Sequence, residues 1–205
     1  MLLKKVLMIG CLLFMSTTYA KDMILVKAGD VQIIQQNCNE NTYECDYVKK
    51  YKGKSELLIE KWSKTVIPYQ FSPNLIGLRL GATGSNHILE IYDSNDKKSI
   101  FYNVIMVDEQ NKCFLNQEND GKKHQKIAFY RLPSLQVFFE ISSKNKDFRN
   151  FKDISSKYID EEDNSFNFDY SRMMDNEVYF QQVKILDVCG RMPKIIQEDI
   201  DDSSE

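Results

Sequence analysis

The chain has 205 residues, with 27 Lys and Arg against 30 Asp and Glu, for a formal net charge of −3. This near balance, with no basic stripe along the sequence, argues against a nucleic-acid binder, whose affinity rests on neutralising phosphates. The length suits one hydrophobic core and is short for two.

The first twenty residues, MLLKKVLMIGCLLFMSTTYA, follow the order of a secretory signal. Lys4 and Lys5 form the positive region, Val6 to Met15 the apolar region, and Thr18-Tyr19-Ala20 the cleavage site. The apolar run is about half of the roughly 20 residues a membrane span requires. Ile9-Gly10-Cys11 has the look of a lipoprotein site, but cleavage there would leave hardly any apolar region. Removing residues 1–20 takes two lysines and no acid, leaving 25 basic and 30 acidic residues. Five of those acids lie in the terminal EDIDDSSE, so the body carries 25 of each sign and residues 198–205 read as an acidic, disordered tail. A periplasmic or secreted protein follows, with a single β-rich domain over residues 21–197. The absence of any Asn-x-Ser/Thr site in an Asn-rich chain favours a bacterial envelope.

Along the mature chain, MILVKAG and VQIIQQN predict a first hairpin around Gly29-Asp30. Next comes CNENTYEC, a polar turn-rich loop between Cys38 and Cys45. With Cys11 removed, Cys38, Cys45, Cys113 and Cys189 remain, an even number that in an exported chain reads as two disulfides. Three pairings are possible; loop closure favours Cys38–Cys45, leaving Cys113–Cys189. Zinc is disfavoured, because there is no C-x-x-C pair and neither histidine lies near a cysteine. SELLIEKW fits a helical or an extended period equally.

HILEIYD alternates with the period of a strand, and the turn formers DSNDKK join it to SIFYNVIMVD as a second hairpin. KIAFYRL and LQVFFEI make another through Pro133-Ser134. Tyr92, Tyr102, Tyr130 and Tyr179 all fall in strand segments, either as core and cross-strand partners or as an exposed docking face. In DFRNFKDISSKYI, Phe148, Phe151, Ser155 and Tyr158 recur at three to four residues and predict a helix. VYFQQVKILDV reads as a late strand. The fold class is thus mainly β, a β-rich α+β arrangement: an antiparallel sandwich or irregular barrel with one or two short helices, an incomplete propeller being the less favoured option.

Motifs for chemistry are few. GATGSNH, Gly81 to His87, is followed by a strand rather than a helix and lacks the lysine of a phosphate loop. Ser85 lacks the flanking glycines of a nucleophile elbow. The stretch reads as a hairpin loop whose Ser85, Asn86 and His87 are candidate binding residues. His124, among lysines in DGKKHQK, reads as solvated. Asp160-Glu161-Glu162-Asp163-Asn164 has oxygens suited to calcium but not the spacing or turn glycine of an EF-hand. No catalytic residue, metal ligand or cofactor motif emerges, although dispersed carboxylates for glycan cleavage leave no sequence signature.

Export, disulfides and a β-rich domain lead to a protein-binding role, of the inhibitor or immunity type, directed at a toxic or cell-wall-degrading enzyme. The acidic excess suits a basic enzyme or toxin as partner. An envelope hydrolase with dispersed carboxylate catalysts and a structural or adhesion subunit are the alternatives.

Overall fold

The computed structural model describes residues 22–81, 87–119, 125–142, 148, 153–160, 162–174 and 177–199. Residues 1–21, Ser85, Asn86, His124, Glu161 and residues 200–205 lie outside them.

Each polar, turn-forming interval in the sequence ends one strand and starts an antiparallel neighbour, so the chain meanders. β1 (Met23–Ala28), β2 (Val31–Gln36), β3 (Cys45–Tyr51) and β4 (Lys54–Trp62) form a first sheet in sequence order. The central sheet has seven strands: β5 (Val66–Ser72), β6 (Leu75–Leu80), β7 (His87–Asp93), β8 (Lys98–Asp108), β9 (Cys113–Asn119), β10 (Gln125–Arg131) and β11 (Gln136–Ile141). β12 (Asp153–Ile159), β13 (Phe166–Met174), β14 (Glu177–Leu186) and β15 (Lys194–Asp199) form the third. The β-rich antiparallel character read from the sequence is what the chain forms. Its layering is in three sheets rather than the two of a sandwich or the one of a barrel.

Alternation decides which side chains go inward. In β6 and β7, Ile76, Leu78 and Tyr92 face the first sheet and pack with Val26, Ala28, Val31 and Ile33. At the other end of the central sheet, Cys113, Leu115, Ile127 and Phe129 pack against Phe166, Phe168, Tyr170, Val183 and Ile185 of the third. The opposite face of the central sheet gathers Phe71, Leu75, Leu89, Ile91, Val104 and Phe114 into a core of its own, which Leu132 joins from the β10–β11 turn. Burying side chains of this size contributes about 1.5–3 kcal/mol each.

Polar clamps fix the outer sheets. Lys49 is buried, with its Nζ 2.7 Å from both Glu56 and Asp96 and 5.2 Å from the centre of the Tyr92 ring. A buried ammonium is tolerated because it is paired on both sides. On the third sheet, Arg131 donates from Nη1 to the Cys189 carbonyl at 2.6 Å and from Nη2 to that of Gly190 at 3.1 Å.

Two readings need correction. The helix predicted over DFRNFKDISSKYI is absent where the segment is described: Asp153–Ile159 is strand β12, paired with β13. A bulge between Ile154 and Ser156 shifts the register by one residue, so that Ile154 and Ile159, five apart, both reach the core. That spacing breaks strict alternation, so the segment does not show the period of two by which a strand is read. No described residue is α-helical, and SELLIEKW is strand β4. Glu198 and Asp199, read as the start of the tail, lie in β15 opposite Gln182 and Gln181.

Candidate functional site

The cysteines pair as loop closure favours, Cys38 with Cys45 and Cys113 with Cys189. The first closes the β2–β3 loop. The second ties β9 of the central sheet to the segment after β14.

Of the three binding residues read from GATGSNH, only His87 is described, and it opens β7. Arg79 of β6 donates to its Nδ1, from Nε at 3.1 Å and from Nη2. Gly81 lies under the ring, where a Cβ would come within 2.0 Å of His87 Cδ2. The imidazole is thus seated against the sheet.

In the acidic turn, Asp163 lies 2.7 Å from Lys184, and Asp160 Oδ1 accepts from the Glu162 amide. Asp160 and Asp163 both lie against the Lys184 ammonium, at 4.0 and 2.7 Å, which occupies the place a cation would take between them. Among the described residues, no group of three or more His, Cys, Asp or Glu is placed to hold a metal ion, and no helix is long and apolar enough to cross a membrane.

The site with a defined chemistry lies in the central sheet, where β8 and β9 part. Their ladder runs from Asp108↔Cys113 to Val104↔Asn116 and forms no further rung, although β8 extends back to Lys98 and β9 on to Asn119. The break has a local cause. Asn103 takes φ 63°, in the left-handed region that Asn tolerates better than most residues, and the register shifts between Val104 and Met106. A groove of about 410 Å³ opens between the separated stretches. Phe101, Tyr102 and Asn103 line its β8 side, Asn116 and Glu118 its β9 side, and Tyr130 of β10 its flank.

Strand pairing assembles the polar end. Lys126 of β10 lies directly opposite Glu118, and its Nζ is 3.1 Å from Glu118 Oε2 and 3.1 Å from Glu140 Oε2 of β11. The Tyr130 hydroxyl donates to Glu118 Oε1, and Asn116 Nδ2 donates to the same oxygen at a long 3.3 Å. Burial opposes the charge on Glu118, but the bonds from Tyr130, Lys126 and Asn116 outweigh it and hold the carboxyl below its usual range. Burial likewise opposes the charge on Lys126, and its bonds to Glu118 and Glu140 overcome that and raise its pKa. Desolvation, then the bond to Glu118, push the Tyr130 hydroxyl up. Each of these shifts moves the pKa of its group further from 7, the reverse of what proton exchange near pH 7 needs. The cluster is a set of fixed charges, two carboxylates to one ammonium.

The aromatic wall is packed in place. Tyr130 stacks on Phe114 at 4.7 Å, and Phe101 meets Tyr130 edge-on at 5.0 Å. Tyr102 stands at the rim, 59% exposed, beside the 40% exposed Ile100. Of the strand tyrosines noted in the sequence, Tyr92 is fully buried, whereas Tyr102 and Tyr130 border this groove. Asn116, Glu118, Lys126 and Glu140 were not legible as a site. Their one signal is that polar residues occupy a face of β9 and β10 on which Phe114 and Tyr130 lie inward.

No protein-family model matches this chain, and no curated protein matches it in sequence.

Proposed function

We propose that the chain is an exported binding protein of the inhibitor or immunity type, which occludes a toxic or cell-wall-degrading enzyme in the periplasm. The observation that carries this reading is the groove between β8 and β9: charges fixed in single protonation states, an aromatic flank and an exposed tyrosine at the rim. Such an arrangement supplies recognition, since aromatic residues beside a partly desolvated charge are typical anchors of protein interfaces. Two disulfides agree with an oxidising compartment, and Cys113–Cys189 ties down β9, which forms one side of the groove. The slight acidic excess supports a basic partner.

The test is affinity capture from envelope extract with the disulfide-bonded protein at several salt concentrations. The identified partner is then purified and titrated for complex formation and loss of its activity. A stoichiometric complex that inhibits the partner is the expected result. Recovery of no stoichiometric protein partner at any salt concentration would overturn the reading.

A further inference from the structure

We infer that the β8–β9 groove receives an arginine side chain presented by the protein partner, with Glu118 as its counter-ion and Asn116 as its second acceptor. The inference rests on the binding role proposed above and names the chemistry that the site takes.

Three features of the groove point to this ligand. The first is charge. Glu118 and Glu140 share one ammonium, Lys126, so among the described residues the cluster carries one uncompensated negative charge, partly removed from water. A cation seated there meets a fixed counter-charge and brings the site to neutrality.

The second is an unmet acceptor. Asn116 is 3% exposed, and its Oδ1 is buried with no hydrogen-bond partner. A buried acceptor left unpaired costs about 1–3 kcal/mol, and only a donor relieves it. The amide is held by one long bond, Nδ2 to Glu118 at 3.3 Å. A guanidinium that donates one N–H to Glu118 can donate a second to Asn116 Oδ1 after a small rotation of the amide, which keeps its Nδ2 within reach of the same carboxylate. Guanidinium carries five donors and no acceptor, so it supplies both bonds without leaving an acceptor of its own unmet.

The third is shape. Phe101 and Tyr130, set edge to face, wall the groove beside the carboxylate, and exposed Tyr102 stands at its rim. A planar guanidinium stacks on aromatic faces while its edge bonds a carboxylate, which a compact, strongly hydrated ammonium does less well. The unpaired rungs of β8 and β9 on either side leave backbone groups for the extended segment that carries the arginine.

The probe is a capped Gly-Arg-Gly peptide, titrated into isotopically labelled, disulfide-bonded protein and followed by NMR at the Asn116 side-chain amide. Matched peptides carry lysine, or citrulline, which keeps the shape and loses the charge. Saturable shifts centred on Asn116 and Tyr102 are expected with arginine, weaker ones with lysine and none with citrulline. Glu118→Gln should weaken arginine binding about tenfold or more, the loss of a charge-assisted bond. Tyr102→Ala, at a side chain 59% exposed, should weaken it several-fold. Equal shifts with arginine and citrulline, or undiminished binding by folded Glu118→Gln and Tyr102→Ala, would overturn the inference. A captured partner that binds wild type and Glu118→Gln alike would remove the groove and leave the binding role standing. Arginine binding without any captured partner would do the reverse.

Discussion

Removing the Cys113–Cys189 disulfide should cost the protein far more stability than removing Cys38–Cys45. The two crosslinks close loops of very different length, 76 and 7 residues in separation. In the chain-entropy model, constraint of the unfolded chain amounts to about 4.5 kcal/mol for the long loop and about 2.4 kcal/mol for the short one. The long crosslink also holds the third sheet to the central one, where Cys113 is fully buried in their shared core. The Arg131 bonds to the Cys189 and Gly190 carbonyls remain when the sulfurs are gone, so the folded state should keep its near-UV signature. Urea denaturation of Cys113→Ala/Cys189→Ala and of Cys38→Ala/Cys45→Ala, each against wild type, measures both losses. The long-loop variant should also unfold with a steeper denaturant dependence, because its unfolded chain expands further. A short-loop variant that loses as much as the long-loop variant would refute the reasoning, as would a long-loop loss under about 1 kcal/mol.

Gly77→Ala should destabilise by about 1–3 kcal/mol through overpacking, because a Cβ there would lie 2.5 Å from Phe71 Cε2 and 3.3 Å from Leu89 Cδ1. Gly53→Ala, at φ +77° with no atom within 4 Å, should lose about 1 kcal/mol from backbone strain alone. Thermal unfolding of both variants checks the pair, and a neutral Gly77→Ala would contradict the packing of β5 on β7 over β6. Asp163 should titrate at about 2, held down by its bond from Lys184 and those from Ser165. Its folded pKa is depressed, so its contribution to stability is complete above the unfolded value of about 4 and disappears as pH falls towards 2. Carboxyl NMR of wild type and Lys184→Met provides the test; a midpoint that does not rise in the variant would exclude Lys184 as the cause.

Some features of this fold belong to short stretches and were readable there. HILEIYD, DSNDKK and SIFYNVIMVD carry a strand, a turn and a strand in their own alternation, and they form β7 and β8 as that pattern requires. Four cysteines beyond Cys11, with one pair separated by a short polar loop, sufficed for the pairing. DFRNFKDISSKYI failed because its periodicity is distorted by a bulge, and a bulge is defined by the partner strand, β13, rather than by the segment itself.

The groove was hidden for the same reason. Glu118, Lys126 and Glu140 stand on three strands, and only the register of β9, β10 and β11 brings them to one nitrogen. Sequence by itself determined the regularly alternating strands, their turns and the crosslinks, since alternation, turn chemistry and thiol count act over a few residues or need no geometry. Tertiary structure alone decided the three-sheet layering and where β8 leaves β9. Register and curvature are settled by side chains meeting across strands, and no local pattern records which strand a residue will face.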